Sequence, residues 1–181
     1  TYFEYGTLAA LEVFRAHRID IAVLEVGMGG RLDAVNGVDP DVAVVTSIGI
    51  DHTAWLGPDR ETIAVEKAGI FRARRPAICS DPNPPATIAA AAARVGAELA
   101  QLGRDFFIER EAHGWTLRHG ATVRAGLPYP VLRGAHQLDN AAGALMALDR
   151  IGERFPLSQS ALRDGLLHAR VPGRFQVLPG Q

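Results

Sequence analysis

Lysine is almost absent from this 181-residue sequence. Lys67 is the single one, and every other basic side chain is an arginine. A phosphate loop of the form G-x-x-x-x-G-K-[ST] needs a Gly-Lys pair, and Lys67 follows Glu66, so the chain contains no such motif. Cysteine is equally scarce: Cys79 stands alone, which rules out an internal disulfide, and no Cys/His cluster has zinc spacing. That usage suits a reducing compartment, and the cytoplasm is the expected location. An excess of either charge is missing too. With 19 basic and 20 acidic side chains and a formal net charge of −1, there is no electrostatic footprint for nucleic acid or an anionic membrane. No apolar run reaches the length of a membrane span, and no basic-then-apolar signal segment is present. No methionine opens the chain, and the expectation is of a piece of a longer protein.

What is present suffices for one domain with an apolar core, since 48% of residues are hydrophobic. Leu8, Leu11, Val13 and Phe14 recur at helical spacing and predict a helix from Gly6 to His17, with Thr7 as N-cap. Ile21 to Val26 and Val42 to Thr46 are short, β-branched runs, apolar on both faces, as in strands of a buried parallel sheet. A helix from Arg60 to Gly69, a third strand from Pro76 to Ser80 and an alanine-rich helix from Thr87 to Leu99 follow. This order predicts an α/β fold, a mostly parallel sheet flanked by helices. Residues 106–110, 115–119 and 121–125 alternate between Gly114 and Gly120 and predict a small antiparallel β meander. Helices are expected over 137–152 and 158–168.

Several residues could carry chemistry. Glu25 closes an apolar run and is followed by Gly27, Gly29, Gly30, Arg31, Asp33 and Asn36. Ligands of open α/β sheets sit beyond the carboxyl ends of the strands, where glycines let backbone N–H groups approach them. Glu25 is therefore either a ligand-binding acid or a strand-end acid paired with Arg31. The G-x-G-G spacing is not a dinucleotide fingerprint. The next strand ends in Ser47-Ile-Gly-Ile-Asp-His52, so neighbouring strands would bring Glu25 and His52 to one rim, within reach of a shared Mg²⁺ or Mn²⁺. The alternative is a structural histidine, and Asp51 is expected to orient its neighbours. Lys67, between apolar neighbours on a helix, is either a reactive amine that arginine could not replace or a surface lysine. The stretch from Leu132 to Ala142, with His136 and Asn140, opens a helix and could meet a phosphate or a base, and Pro172-Gly-Arg174 could offer a guanidinium to phosphate. Each is equally a cap or a turn.

Six motifs fall in order: Phe3-Glu4-x-x-Thr7; Glu25-Val-Gly-Met-Gly-Gly-Arg-Leu-Asp-Ala-Val-Asn36; Ser47-Ile-Gly-Ile-Asp-His52 with Leu56-Gly57; Ile63-Ala-Val-Glu-Lys-Ala-Gly-Ile70; Gly134-Ala-His-Gln-x-x-Asn140-Ala-Ala; and Pro172-Gly-Arg-Phe175. Together they resemble the bifunctional dihydrofolate synthase/folylpolyglutamate synthases of bacteria, within the Mur ligase superfamily. The resemblance implies an ATP-dependent ligase that phosphorylates a carboxylate of dihydropteroate or of a folate glutamate, after which L-glutamate attacks the acyl phosphate. It implies Glu25 and His52 as magnesium ligands and Lys67 as a carbamylated lysine. Asn140 and Arg174 become nucleotide contacts, and Thr1, Tyr2, Phe3, Glu4, Leu32, Asp33 and Ala34 line the pteroate site. Residues 1–175 would be part of the central ATP-binding domain, and 176–181 the start of a hinge to a further domain. In this reading the phosphate loop precedes Thr1, and these 181 residues alone neither hydrolyse nor tightly bind ATP. The expected partners are small molecules only, with no nucleic acid or membrane, and the protein is expected to be a monomer. A muramyl-type amino-acid ligase and a non-catalytic pterin-binding remnant are the alternatives; an intact set of Glu25, His52 and Lys67 argues against the remnant.

Overall fold

A computed structural model describes residues 1–172. The first helix, α1 (Tyr2–His17), begins earlier than its apolar spacing predicts. Its N-cap is Thr1, whose hydroxyl accepts from the Glu4 N–H at 3.2 Å in a capping box. Thr7, the expected cap, instead donates to the Phe3 carbonyl inside the helix.

A three-stranded parallel sheet follows, ordered β1 (Ala43–Val45), β2 (Pro76–Cys79), β3 (Glu98–Gln101). Helices α2 (Thr53–Leu56), α3 (Arg60–Ala68) and α4 (Ala86–Val95) lie in the connections. Alternate residues face opposite ways, as the pleat requires. Ala43, Val45, Ala77 and Cys79 pack with Ile63, Ala64 and Ala68 of α3 and Ile88, Ala91 and Ala92 of α4. Val44, Ile78 and Ala100 face a second core shared with the antiparallel sheet β4 (Phe106–Glu111), β5 (Gly114–His119), β6 (Thr122–Leu127) and with α5 (His136–Arg150) and α6 (Gln159–His168). The parallel sheet is thus covered on both faces, and the meander is antiparallel as expected.

Two expectations are corrected. Ile21–Val26 is not a strand, because no backbone group of those residues finds a ladder partner among the described residues, and Val23 is 92% exposed. The alanine-rich helix ends at Val95, where Gly96 takes the left-handed conformation (φ 74°), and the chain returns as β3, a strand not foreseen.

Ser80, just after β2, is buried at 1% exposure against Gly143 of α5, and its hydroxyl has no hydrogen-bond partner among the described residues. Removing an orphaned buried hydroxyl removes its desolvation cost. Ser80→Ala is therefore expected to leave stability unchanged or to raise it by up to about 1 kcal/mol in urea denaturation, and a loss beyond that size contradicts this account.

Candidate active site

Glu25 and the first turns of α1 share an apolar groove of about 360 Å³. Tyr2, Phe3, Leu11 and Phe14 line one side, and Val23, Leu24 and Val35 the other. The structure therefore brings Tyr2 and Phe3, two of the expected pteroate contacts, to the expected metal ligand. Asp33 joins them through Gly27. A Cβ on Gly27 would lie 2.8 Å from the Phe3 ring and 3.3 Å from the Asp33 carboxylate, so only glycine lets the ring and the acid close on the loop. Asp33 shapes this loop by accepting from the N–H groups of Gly27 (3.1 Å), Met28 (3.0 Å) and Val35 (3.0 Å), and it caps the 3₁₀ turn Ala34–Gly37 that contains Ala34. Leu32 projects into solvent. Thr1 and Glu4 are engaged in the cap of α1.

The far side of the same loop docks on α3. A Cβ on Gly30 would meet the Glu66 carbonyl at 2.7 Å and the Lys67 carbonyl at 3.1 Å, backbone atoms that cannot yield. The Arg31 N–H donates to the Glu66 carbonyl at 2.8 Å, and its guanidinium pairs with the Glu66 carboxylate at 3.0 Å. The pairing of Glu25 with Arg31, one of the two readings of that acid, is therefore not formed. Glu25 is exposed and has no hydrogen bond or ion pair among the described residues. Lys67, in the last turn of α3, is half-buried and also without an ion pair among them.

His52 comes in from β1. It caps α2 in the left-handed conformation (φ 52°, ψ 38°), which few side chains tolerate and histidine tolerates better than most. Its carbonyl accepts from the N–H groups of Trp55 (2.8 Å) and Leu56 (2.9 Å), and its own N–H donates to Asp51 at 2.7 Å, the orienting part expected of that acid. Leu56 then reaches the glycine loop, 2.9 Å from where a Cβ on Gly29 would stand. The imidazole is half exposed, with Nε2 3.7 Å from the Asp51 carboxylate.

An uncommitted carboxylate and an available imidazole suit a hard divalent cation that keeps several waters and also takes phosphate oxygens. They do not make an all-protein cage: no group of three or more His, Cys, Asp or Glu side chains is placed to hold a metal among the described residues.

Asn140 is half-buried at the fifth position of α5, a helix without a side-chain N-cap. Beside it, burial raises the Asp139 carboxyl above its ordinary range, opposed by the nearby Arg110 and His136. Arg174 lies outside the described residues. Sequence reasoning missed the groove residues Leu11 and Phe14, although Phe3, Thr7, Leu11 and Phe14 follow helical spacing. It also missed Arg60 and Asp81, described below.

This arrangement defines an open α/β domain whose candidate ligand residues lie on the loop before β1, on the segment that follows β1 and on the helices α3 and α5. Residues 1–148 match the Mur ligase middle domain, and the chain belongs to that family. It is 49% identical over 178 residues to a dihydrofolate synthase/folylpolyglutamate synthase of Escherichia coli strain K12, covering 98% of this chain and 41% of that protein. A solved E. coli FolC in complex with DHPP and ADP superposes with a TM-score of 0.92 at 49% identity, over 99% of this chain and 42% of that one. A Yersinia pestis folylpolyglutamate synthase/dihydrofolate synthase complexed with AMPPNP and Mn ion gives 0.90 at 47%, over 99% and 42%. The chain thus spans about two fifths of the length of the curated relatives it matches. Among the described residues no helix is long and apolar enough to cross a membrane.

Proposed function

We propose that this chain is the central ATP-handling part of a ligase that joins L-glutamate to dihydropteroate, to folate glutamates, or to both. In that reaction a substrate carboxylate oxygen attacks the γ-phosphorus of ATP and ADP leaves. The glutamate amine then attacks the acyl carbon, phosphate departs, and an amide remains after loss of a proton. The observation that carries this reading is the Gly27–Arg31 loop, which touches Phe3 and Asp33 on one side and the backbone of Glu66 and Lys67 on the other. A flat aromatic substrate held in the groove would thereby lie beside the phosphate-transfer residues.

Tyr2 and Phe3 offer ring faces to a pterin, and the Asp33 carboxylate holds the loop beneath them. Leu32, Ala34, Thr1 and Glu4, which lie outside the groove lining itself, would complete the pterin contacts from its rim. Glu25 and His52 would hold Mg²⁺ or Mn²⁺, which when bound offsets phosphate charge. Lys67, as a neutral amine, would capture CO₂ through a new N–C bond and release a proton, giving a carbamate whose negative charge would serve that cation. Asn140 contacts the nucleotide and Arg174 its phosphates. Catalysis of this kind rests on positioning and charge neutralisation. Residues 1–175 form part of the ATP-binding domain and 176–181 begin the hinge. The full-length protein works as a cytoplasmic monomer without nucleic acid.

The test is ADP release by the full-length protein, dependent on glutamate, with dihydropteroate and with tetrahydrofolate. Release with either substrate supports the proposal and identifies the activity; no release with either overturns it.

A further inference from the structure

Asp81 lies at the carboxyl end of β2, with its side chain 4% exposed, and is ion-paired to Arg60 in the first turn of α3 at 2.8 Å. Both side chains close on the backbone of one residue and hold the two peptide units that flank Ile48. The Ile48 N–H donates to Asp81 Oδ2 at 2.7 Å, and the Ile48 carbonyl accepts from Arg60 Nε at 2.7 Å. Both side chains also engage Asn83: Arg60 Nη2 donates to the Asn83 carbonyl at 2.9 Å, and the Asn83 N–H donates to Asp81 Oδ1 at 2.9 Å. Ile48 itself is buried, so the segment after β1 is fixed by its side chain and by both of its backbone polar groups.

Four residues later comes His52. Its other end is fixed by α2, whose Leu56 side chain docks on Gly29. Residues 49–52 therefore form a short exposed span between two anchors, and the imidazole is presented in a backbone conformation that needs outside support.

We infer that Arg60 and Asp81 are positioning residues: by clamping the Ile48 backbone on both sides they aim the His52 imidazole at the divalent cation. This rests on the ligase reading above. A guanidinium is needed because its fixed fork spreads donors over separate nitrogens, so that Nε meets the Ile48 carbonyl while Nη2 meets Asp81 and Asn83; an ammonium gathers its donors on one nitrogen at the end of a flexible stem and does not span the three in that geometry.

The experiment measures Mn²⁺ affinity by electron paramagnetic resonance, together with kcat and KM, in the full-length protein. The variants are Arg60→Lys, Asp81→Asn and, as a control, His52→Ala. For Arg60→Lys the expected result is Mn²⁺ binding weakened by about tenfold, the scale on which outer-shell support acts on a metal site, with kcat falling in step and the KM for ATP within about twofold. Asp81→Asn keeps an acceptor for the Ile48 N–H but loses the charge that holds Arg60, and is expected to act in the same direction. It serves in place of Arg60→Lys if that variant does not fold. Unchanged Mn²⁺ affinity in a folded Arg60→Lys or Asp81→Asn protein, with His52→Ala losing the ion, overturns the clamp and leaves the metal reading intact. Unchanged affinity in His52→Ala overturns the metal reading and the clamp with it.

Discussion

Lys67→Arg in the full-length protein is expected to be as inactive as Lys67→Ala, with kcat lower by about 10²–10³, the usual loss when one pre-placed electrostatic group is removed from a phosphoryl- or acyl-transfer site. The two substitutions separate the two things a lysine can do. As a fixed cation it would be replaced tolerably by arginine. As an amine that must shed its proton and bond to CO₂, it has no substitute, because a guanidinium stays protonated at any working pH. Lys67 is half-buried, and the Gly30 loop packs on its backbone, so its position is set by the glycine loop rather than by any ion pair of its own among the described residues. Steady-state ADP release checks the rate. The ¹³C resonance of a carbamate formed from labelled bicarbonate checks the chemistry, and it should vanish in both variants. Arginine restoring activity to within a few-fold of wild type would sink the carbamate and leave Lys67 a simple charge.

Trp115→Ala has the second largest expected effect, on stability. Trp115 on β5 is fully buried among Phe106, Leu117, Leu127, Leu138 and Met146, in the core where the meander meets α5 and the parallel sheet. Its indole N–H donates to the Pro128 carbonyl at 2.9 Å. Truncation leaves a large cavity and takes away that carbonyl's partner, and such changes cost about 3–5 kcal/mol. Against a typical total of about 5–15 kcal/mol this is a substantial share. Urea denaturation followed by far-ultraviolet circular dichroism measures it. A loss under about 1 kcal/mol would mean that the core collapses around the gap, against expectation for so fully enclosed a ring.

Local signals in the sequence carried well. The meander was legible because Gly114 and Gly120 separate alternating runs, and α3 because its apolar positions fall on one face and Gly69 follows it. The true start of α1 was legible too, as the capping-box spacing of Thr1 and Glu4, but the apolar periodicity drew attention to Thr7. Gly96 likewise marked the end of α4, and the alanines beyond it in neither direction justified running the helix on to Leu99.

Non-local pairing was not legible. Glu98–Gln101 has little strand propensity of its own and becomes β3 because Pro76–Cys79 provides a ladder. Ile21–Val26 has ample propensity and no partner among the described residues, so it forms no strand there. The same division holds at the candidate site. Glu25 and His52 could be singled out because each ends an apolar run, and Lys67 because it has no fellow. The Arg60–Asp81 clamp joins residues 21 positions apart through the backbone of Ile48, and only the folded chain brings them together. Arg31 shows the limit of proximity in sequence: it stands six residues after Glu25, yet it pairs with Glu66.

The two tryptophans occupy opposite environments. Trp55, three residues after His52, is 76% exposed, whereas Trp115 is fully enclosed. Their emission should therefore separate into a red component open to collisional quenchers and a blue component that is shielded. With Trp115 changed to phenylalanine, the remaining indole becomes an intrinsic optical probe on the His52 side of the site. Quenching by acrylamide or iodide would then follow cation and nucleotide binding there without an attached dye.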